Sequence, residues 1–165
     1  ENAIYKALKI IENFRDFQFP KVSEQLGAVK LSVTQVQAGT QHNVIPDRCD
    51  FVVDVRTNEL YKNEEAFSIL QKNINCEMKA RSFRLNSSKI EPDHPIIIRA
   101  KMLGLQPFGS PTLSDQALMP FTSVKIGPGD SARSHTANEF ILKSEIREAI
   151  DLYIKLLDRL SLEPA

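Results

Sequence analysis

The apolar residues in the first half of the chain change their spacing from one segment to the next. In residues 2–17 they recur at helical intervals on one face, which predicts an amphipathic helix. Residues 28–36 and 49–56 alternate apolar with polar residues, which predicts two half-buried strands. Helical spacing returns in residues 63–74, and a third alternating segment, residues 76–84, predicts one more strand.

The predicted order of these elements is helix, strand, strand, helix, strand. One additional strand before Glu1 would complete the split βαβ pattern of a ferredoxin-like sandwich, an α+β fold. Helical spacing is already present from Asn2 onward, with no cap or strand before it. We therefore expect the chain to be a piece of a longer protein. We also expect its helices to cover one face of the sheet and leave the other face free for a partner.

The second half of the chain has a different pattern. Residues 85–93 are polar and contain Pro92, which is typical of a linker. Helical spacing predicts a short helix in residues 94–103 and a long one in residues 144–160, and residues 121–126 have the composition of a strand.

These later elements are too few to close a hydrophobic core of their own. We therefore predict two regions: residues 1–86 as a ferredoxin-like domain that lacks its first strand, and residues 87–165 as the C-terminal portion of an α/β domain. Ser144 is the expected N-cap of the long helix. The apolar stripe of that helix needs another part of the protein, or another chain, to pack against.

The charge balance and the cysteine spacing give no sign of a nucleic-acid-binding protein, a membrane protein or a CxxC metal site. The 165 residues include 21 basic and 21 acidic side chains, so nothing predicts binding to nucleic acid or to an anionic membrane. The longest apolar runs are too short to span a bilayer. Cys49 and Cys76 lack the spacing of a CxxC metal site. We expect free buried thiols and a cytoplasmic protein, with a disulfide as the alternative.

His135 has the most informative surroundings of the three histidines. A predicted strand runs into Gly127-Pro128-Gly129, and His135 and Glu139 follow this glycine-rich loop. Loops at strand ends commonly bind ligands in α/β proteins, and neutral imidazole is a common Zn²⁺ ligand. A catalytic zinc ion needs at least three protein ligands, and no HxH, HExxH or CxxC motif supplies the others. A metal site would need ligands from elsewhere, and a role without metal is the alternative.

Asn43 and Arg56 flank the second predicted strand. A hairpin could bring this amide and this guanidinium to one end of the sheet, where they would bind a carbonyl oxygen and a carboxylate. A turn asparagine and an edge-strand arginine are the alternative. His42, in the same loop as Asn43, is either solvated or in contact with a ligand. His94 precedes a proline at a predicted helix start and suits a capping role.

Ser114 and Asp115 follow a further predicted strand, residues 108–113. With His135 they could form a Ser-His-Asp triad. No GxSxG motif surrounds the serine, and adjacent Ser and Asp residues commonly form a turn or a helix cap instead.

Several of these fragments together resemble a known enzyme family. GTQHNVIPDRC at residues 39–49 and DVR at residues 54–56 are similar to the lid-domain signature of the acetylornithine deacetylase, succinyl-diaminopimelate desuccinylase and aminoacylase family of dizinc metallohydrolases. The closing catalytic segment of that family is similar to SD at residues 114–115, KIGPG at residues 125–129 and HTANE at residues 135–139. The fragments occur in the family's order along essentially the whole chain.

The resemblance implies a catalytic α/β domain with two divalent metal ions, zinc or cobalt. It also implies an inserted ferredoxin-like lid domain that forms a homodimer. His135 would be a metal ligand, and Glu139 would support it without touching the metal. Asn43 would be catalytic, close to the scissile carbonyl oxygen, and Arg56 would bind the substrate carboxylate.

Four further residues would contact the substrate by the same resemblance. Ser114 and Asp115 would line the pocket, and Gly127 and Gly129 would let the backbone approach the substrate. The other metal ligands, including the glutamate that acts as general base, are expected upstream of Glu1.

The implied enzyme is a cytoplasmic hydrolase of N-acyl amino acids. N-acetyl- or N-succinylornithine, in arginine biosynthesis, is the expected kind of substrate. We expect this chain alone to be inactive. A non-catalytic amino-acid-binding or dimerisation module of the same fold is the alternative, and a serine hydrolase is a third possibility.

Overall fold

A computed structural model describes residues 1–110 and 114–162. The chain separates into two compact units. The first unit comprises Glu1–Ser88 and Gly109–Pro120, and the second comprises Lys89–Phe108 and the chain from Phe121 onward.

Helix α1 spans Ala3–Asp16 and confirms the first predicted helix. The Oδ1 atom of Asn2 accepts a hydrogen bond of 2.9 Å from the backbone N–H of Ile4. A cap therefore does precede the helix, contrary to the expectation from sequence, and asparagine suits this position because its short side chain can reach the free N–H groups of the first turn. Ala7 and Phe14 are the buried residues of α1.

Strands β1 (Lys30–Ala38) and β2 (Cys49–Arg56) confirm two of the predicted strands and pair in an antiparallel hairpin. The pairing runs from Lys30 opposite Arg56 to Ala38 opposite Cys49. The register shifts between Val33 and Gln35, so the residue between them forms a β-bulge.

Helix α2 (Asn63–Asn73) confirms the second predicted helix and places Ala66 and Leu70 in one buried cluster with Phe14 of α1. The inward-facing side chains of the hairpin pack against this cluster: Leu31, Val33, Phe51, Val53 and Val55. Both helices therefore cover one face of the sheet, as predicted. This packing removes Phe14 of α1, the buried side chains of α2 and the inward face of the hairpin from water together, whereas Leu8 of α1 stays 53% exposed.

The predicted strand of residues 76–84 is wrong, because the structure assigns no strand there. Burial still alternates from Cys76 to Arg81: Cys76 and Met78 are half-buried against the core, whereas Glu77 and Lys79 are exposed. Alternation determines which side chains face the core, but a strand also needs a neighbour with which to exchange backbone hydrogen bonds. In the described residues the sheet contains β1 and β2 alone.

The second unit contains helices α3 (Pro95–Met102) and α4 (Lys143–Leu157), which confirm the two helices predicted for this half. Nδ1 of His94 accepts a hydrogen bond of 3.3 Å from the N–H of Ile96, so its predicted capping role is confirmed. Arg99 of α3 donates to two carbonyl oxygens at the C-terminal end of α4, at 3.3 and 3.2 Å. A cation is favourable at that end of a helix because the free carbonyl groups carry partial negative charge.

The N-cap of α4 is Leu142 rather than the predicted Ser144. The backbone N–H of Leu142 donates a hydrogen bond of 2.8 Å to the carboxylate of Glu145. A glutamate at the third helical position can reach back over the helix start in this way. The helix therefore begins before the serine that the sequence suggested as its cap.

The apolar stripe of α4 stays largely exposed. Ala149 and Leu156 are buried, whereas Ile150 and Ile154 keep 54% and 62% of their surface exposed.

Two further predicted strands lie in irregular segments. Residues 121–126 form no strand, and neither do residues 108–110, while residues 111–113 lie outside the described residues. Their apolar residues are typical of strands, and the prediction was based on them. A strand also needs a neighbouring strand with which to form backbone hydrogen bonds, and composition does not predict one.

The segment Gly109–Pro120 belongs to the first unit, although the predicted division assigned it to residues 87–165. Gly109 lies close to the turn that precedes β1: a Cβ atom on it would come within 2.9 Å of Leu26 Cδ2. Contacts with residues far away in sequence therefore place this segment in the first unit. No local sequence pattern predicts such contacts.

None of the described helices is long and apolar enough to cross a membrane. Cys49 and Cys76 are both free thiols, as predicted, and each is half-buried. Burial raises the pKa of the Cys76 thiol, which favours its protonated form.

Candidate functional site

The loop between β1 and β2 forms a cleft against the start of α1. Gly39 begins the loop with a φ of 70°, a left-handed conformation that favours glycine. The N–H of Ala3 donates a hydrogen bond of 3.0 Å to the carbonyl oxygen of Pro46, which ties the loop to α1. The cleft has a volume of about 690 Å³ and is lined by Asn2, Ile4 and residues 38–46.

Asn43 and His42 both line this cleft and are exposed. An exposed amide can donate a hydrogen bond to a carbonyl oxygen. The loop therefore presents Asn43 in a position where it could contact a small molecule.

Arg56 lies at the other end of the hairpin from Asn43. It pairs with Lys30 in the sheet, whereas the loop of Asn43 follows the pairing of Ala38 with Cys49. At about 3.4 Å per residue, β2 alone separates the two ends by about 24 Å. The hypothesis that one hairpin brings Asn43 and Arg56 to the same end of the sheet is therefore wrong.

The guanidinium of Arg56 is not isolated. Its Nε donates a hydrogen bond of 2.9 Å to Oδ2 of Asp54, two residues earlier on the same exposed face of β2. A substrate carboxylate at Arg56 would have to share the guanidinium with Asp54.

Ser114 and Asp115 mark the start of a short 3-10 helix, Asp115–Leu118. Ser114 is the residue before it, and its carbonyl oxygen accepts a hydrogen bond of 3.0 Å from the N–H of Ala117. Its side chain makes no capping hydrogen bond. The pair thus begins a helical turn, which is one of the two interpretations that the sequence left open.

The glycine-rich loop of the second unit continues into another 3-10 turn, Ser131–Arg133, capped by the side chain of Asp130. Gly129 has a φ of 84°, which explains why a glycine occupies this position, whereas Gly127 faces open space. Both glycines are exposed, although a Cβ atom on Gly129 would lie 3.4 Å from the side chain of Ile141.

His135 has a φ of 61°, which is unusual for a residue with a side chain. Its backbone N–H donates a hydrogen bond of 3.0 Å to Oε2 of Glu139, so the glutamate fixes the turn that carries the imidazole. His135 is exposed. The ring is therefore not a buried core histidine and is accessible to a ligand.

The described residues contain no group of three or more His, Cys, Asp or Glu side chains that could hold a metal ion. An exposed imidazole suits one position in a zinc shell. Any metal bound at His135 would need at least one further ligand from outside the described residues.

Arg133 and Glu145 form an ion pair that the sequence analysis did not anticipate. Their side chains are 22% and 23% exposed, well below the other ion pairs of the described residues. The guanidinium also lies 4.7 Å from the ring centroid of Phe140, a cation–π contact. The position of Glu145 at the third residue of a helix could have predicted that it caps the helix start. No pattern in the neighbouring sequence predicts Arg133 as its partner.

Part of the chain matches a family model of known proteins. Residues 1–81 match the family model of the peptidase dimerisation domain. The match supports the M20 peptidase family at a coarse level and does not specify an individual member. No curated protein matches the chain.

The peptidase dimerisation domain is a ferredoxin-like α+β lid, so the predicted fold class is confirmed. The described elements agree with it: a two-stranded antiparallel sheet and, over both units, four α-helices. The matched region contains α1, the hairpin and α2 but not His135.

Glu145 contributes to the acid response of the second unit. The Arg133 guanidinium and the N–H of Leu142 hold the pKa of Glu145 below its ordinary value of 4.5. A carboxyl group whose pKa is lower in the folded than in the unfolded state stabilises the folded state at pH values above its unfolded pKa. This contribution is lost as the pH falls through its folded pKa.

We therefore expect Glu145→Gln to increase amide exchange in residues 130–142 more at pH 7 than at about pH 3, because protonation of Glu145 removes the same charge that the substitution removes. Hydrogen exchange measured by mass spectrometry at the two pH values is the test, after correction for intrinsic exchange rates. An equal effect of the substitution at both pH values would contradict a role for the charge of Glu145.

Proposed function

We propose that the protein is a metal-dependent amidohydrolase that removes the acyl group from an N-acyl amino acid. N-acetyl- and N-succinylornithine represent the proposed substrate class. The match of residues 1–81 to the peptidase dimerisation domain carries the proposal, since it supports a hydrolase parent. The substrate class comes from the resemblance of the two motif series around Asn43 and His135.

His135 is the residue of this chain that we assign to metal binding. Two divalent metal ions, zinc or cobalt, would supply an activated water when bound. The exposed imidazole and the hydrogen bond from its backbone N–H to Glu139 support the assignment. By the same resemblance, the remaining ligands lie elsewhere in the protein.

The other proposed site residues bind and orient the substrate. The amide of Asn43 donates to the carbonyl oxygen of the scissile bond and stabilises negative charge that develops there. Arg56 binds the carboxylate of the amino acid, and Ser114 and Asp115 line the pocket. The exposed main chain at Gly127 and Gly129 allows close approach of the substrate.

The separation of Asn43 from Arg56 implies that two copies of the chain build each site. About 24 Å of strand lies between the two ends of the hairpin, which exceeds the length of a small N-acyl amino acid. A homodimer, which the name of the dimerisation domain supports, could bring Asn43 of one protomer to the substrate held by Arg56 of the other.

Mixed dimers test this arrangement. Asn43→Ala and Arg56→Ala homodimers should each be nearly inactive. Unfolding and refolding an equal mixture should restore about a quarter of wild-type activity, because half of the dimers are mixed and one of their two sites keeps both residues. If each protomer supplied both residues to its own site, every site would carry a defect and the mixture would stay inactive.

The chemistry is tested on the natural gene product that carries this sequence. We expect release of acetate or succinate from a panel of N-acyl amino acids, lost after chelation and restored by Zn²⁺ or Co²⁺. A protein whose melting temperature rises with N-acetylornithine in the absence of metal, without turnover under any metal condition, would instead be a non-catalytic binding module.

A further inference from the structure

The loop between the glycine-rich turn and α4 is closed on itself by a set of contacts around Arg133. Its guanidinium pairs with Oε1 of Glu145, the third residue of α4, and lies over the ring of Phe140. The other carboxylate oxygen, Oε2 of Glu145, accepts from the N–H of Leu142 at 2.8 Å. One carboxylate therefore holds both Arg133 and the end of the loop to the first turn of α4.

A second contact connects Arg133 to the histidine. The Oγ1 of Thr136 donates a hydrogen bond of 2.8 Å to the carbonyl oxygen of Arg133. This hydrogen bond closes a short turn that contains His135. The N–H of His135 itself is fixed by Glu139. The imidazole thus projects from a short segment whose main chain is held on both sides.

The main chain of His135 needs such restraint. A φ of 61° is less favourable than the ordinary helical or extended values for any residue with a Cβ. Residues in this conformation persist where the surrounding contacts determine it. Without those contacts, we expect the segment to relax and the imidazole to change direction.

We propose that Arg133 is a positioning residue, which fixes the direction of the His135 imidazole by clamping its loop to α4 through Glu145 and Phe140. The consequence for catalysis rests on the proposed function of His135. The effect on the order of the loop does not depend on that function. Measuring both kcat and the order of the loop therefore tests the positioning role of Arg133 separately from the metal-binding role of His135.

The test compares three substitutions in the natural gene product. Arg133→Met keeps the aliphatic stem and removes the guanidinium, and Arg133→Lys keeps the charge but loses the planar fork. Arg147→Met is the matched control, because Arg147 is an exposed arginine on α4 outside this cluster. The measurements are kcat and KM for N-acyl hydrolysis, and amide exchange of His135 and Leu142.

We expect Arg133→Met to lower kcat by roughly 10- to 100-fold, as for residues that orient a metal ligand, with KM changed by less than about threefold. Arg133→Lys should recover part of kcat, and Arg147→Met should change neither constant. Amide protection of His135 and Leu142 should fall in Arg133→Met alone. If Arg133→Met fails to fold, Glu145→Gln removes the pairing charge with little change of shape and should show the same pattern.

The outcomes separate the inference from the proposed function. If His135→Ala abolishes turnover while Arg133→Met leaves kcat and amide protection unchanged, the positioning role is overturned and the proposed function stands. If His135→Ala leaves turnover intact, the assignment of His135 to metal binding fails, and with it the catalytic part of the inference. Amide exchange then decides alone: lost protection in Arg133→Met supports the clamp, and unchanged protection overturns it.

Discussion

Replacing His135 by alanine is expected to lower kcat of the natural gene product by more than about 100-fold, the upper range for residues that only support a metal ligand. The physical reason is that no second imidazole of the same loop can take its place. The described residues hold no cluster of three candidate ligands that could retain a metal without it. Initial rates of acyl release at saturating Zn²⁺ are the measurement.

The control for this prediction is another histidine of the same unit. His94 caps α3 through Nδ1, and His94→Asn preserves a capping side chain, so activity should stay close to wild type. Full activity of His135→Ala at limiting as well as saturating metal would contradict the assignment of His135. Loss of activity in both variants would indicate a general loss of folding, which thermal melting would detect.

Replacing Leu70 by alanine is expected to destabilise the first unit by about 3 kcal/mol, the usual scale for a large cavity in a packed core. Leu70 is 3% exposed and lies in the buried cluster between α1, α2 and the hairpin. The cost combines the lost transfer free energy of the side chain with the cavity that remains. The free energy of opening, obtained from hydrogen exchange of the α2 amides, is the measurement.

Leu85→Ala is the matched control for the core substitution. Leu85 belongs to the same unit but is 41% exposed, so we expect a change within about 0.5 kcal/mol. Equal effects of the two substitutions would mean that the α1–hairpin–α2 cluster is not the main source of stability for this unit.

Much of the first unit could be predicted from local pattern alone. The bounds of β2 and α2 agree with the expected segments to within a residue, because each has a side-chain period that holds over several residues. Even residues 76–81 keep the predicted alternation of burial. Their backbone pairing could not be predicted, because it depends on a neighbouring strand rather than on the segment itself.

The candidate site divides in the same way. The sequence motif selected His135 and Glu139, and the structure shows an exposed His135 whose backbone N–H donates to Glu139. The distance between Asn43 and Arg56 was inferred wrongly from spacing, because the count of residues between them does not give the register of the hairpin. That register is the basis for the proposed site built from two protomers.

The sequence by itself determined the helices, the hairpin strands and the side of α2 and of each strand that faces the core, since these follow from side-chain periods of 3.6 and 2 residues. Only the tertiary structure decided the assignment of Gly109–Pro120 to the first unit and the pairing of Arg133 with Glu145. Such contacts join residues that share no local period. Which residues pair in this way depends on how the chain folds back on itself, and therefore on the packing of many residues at once.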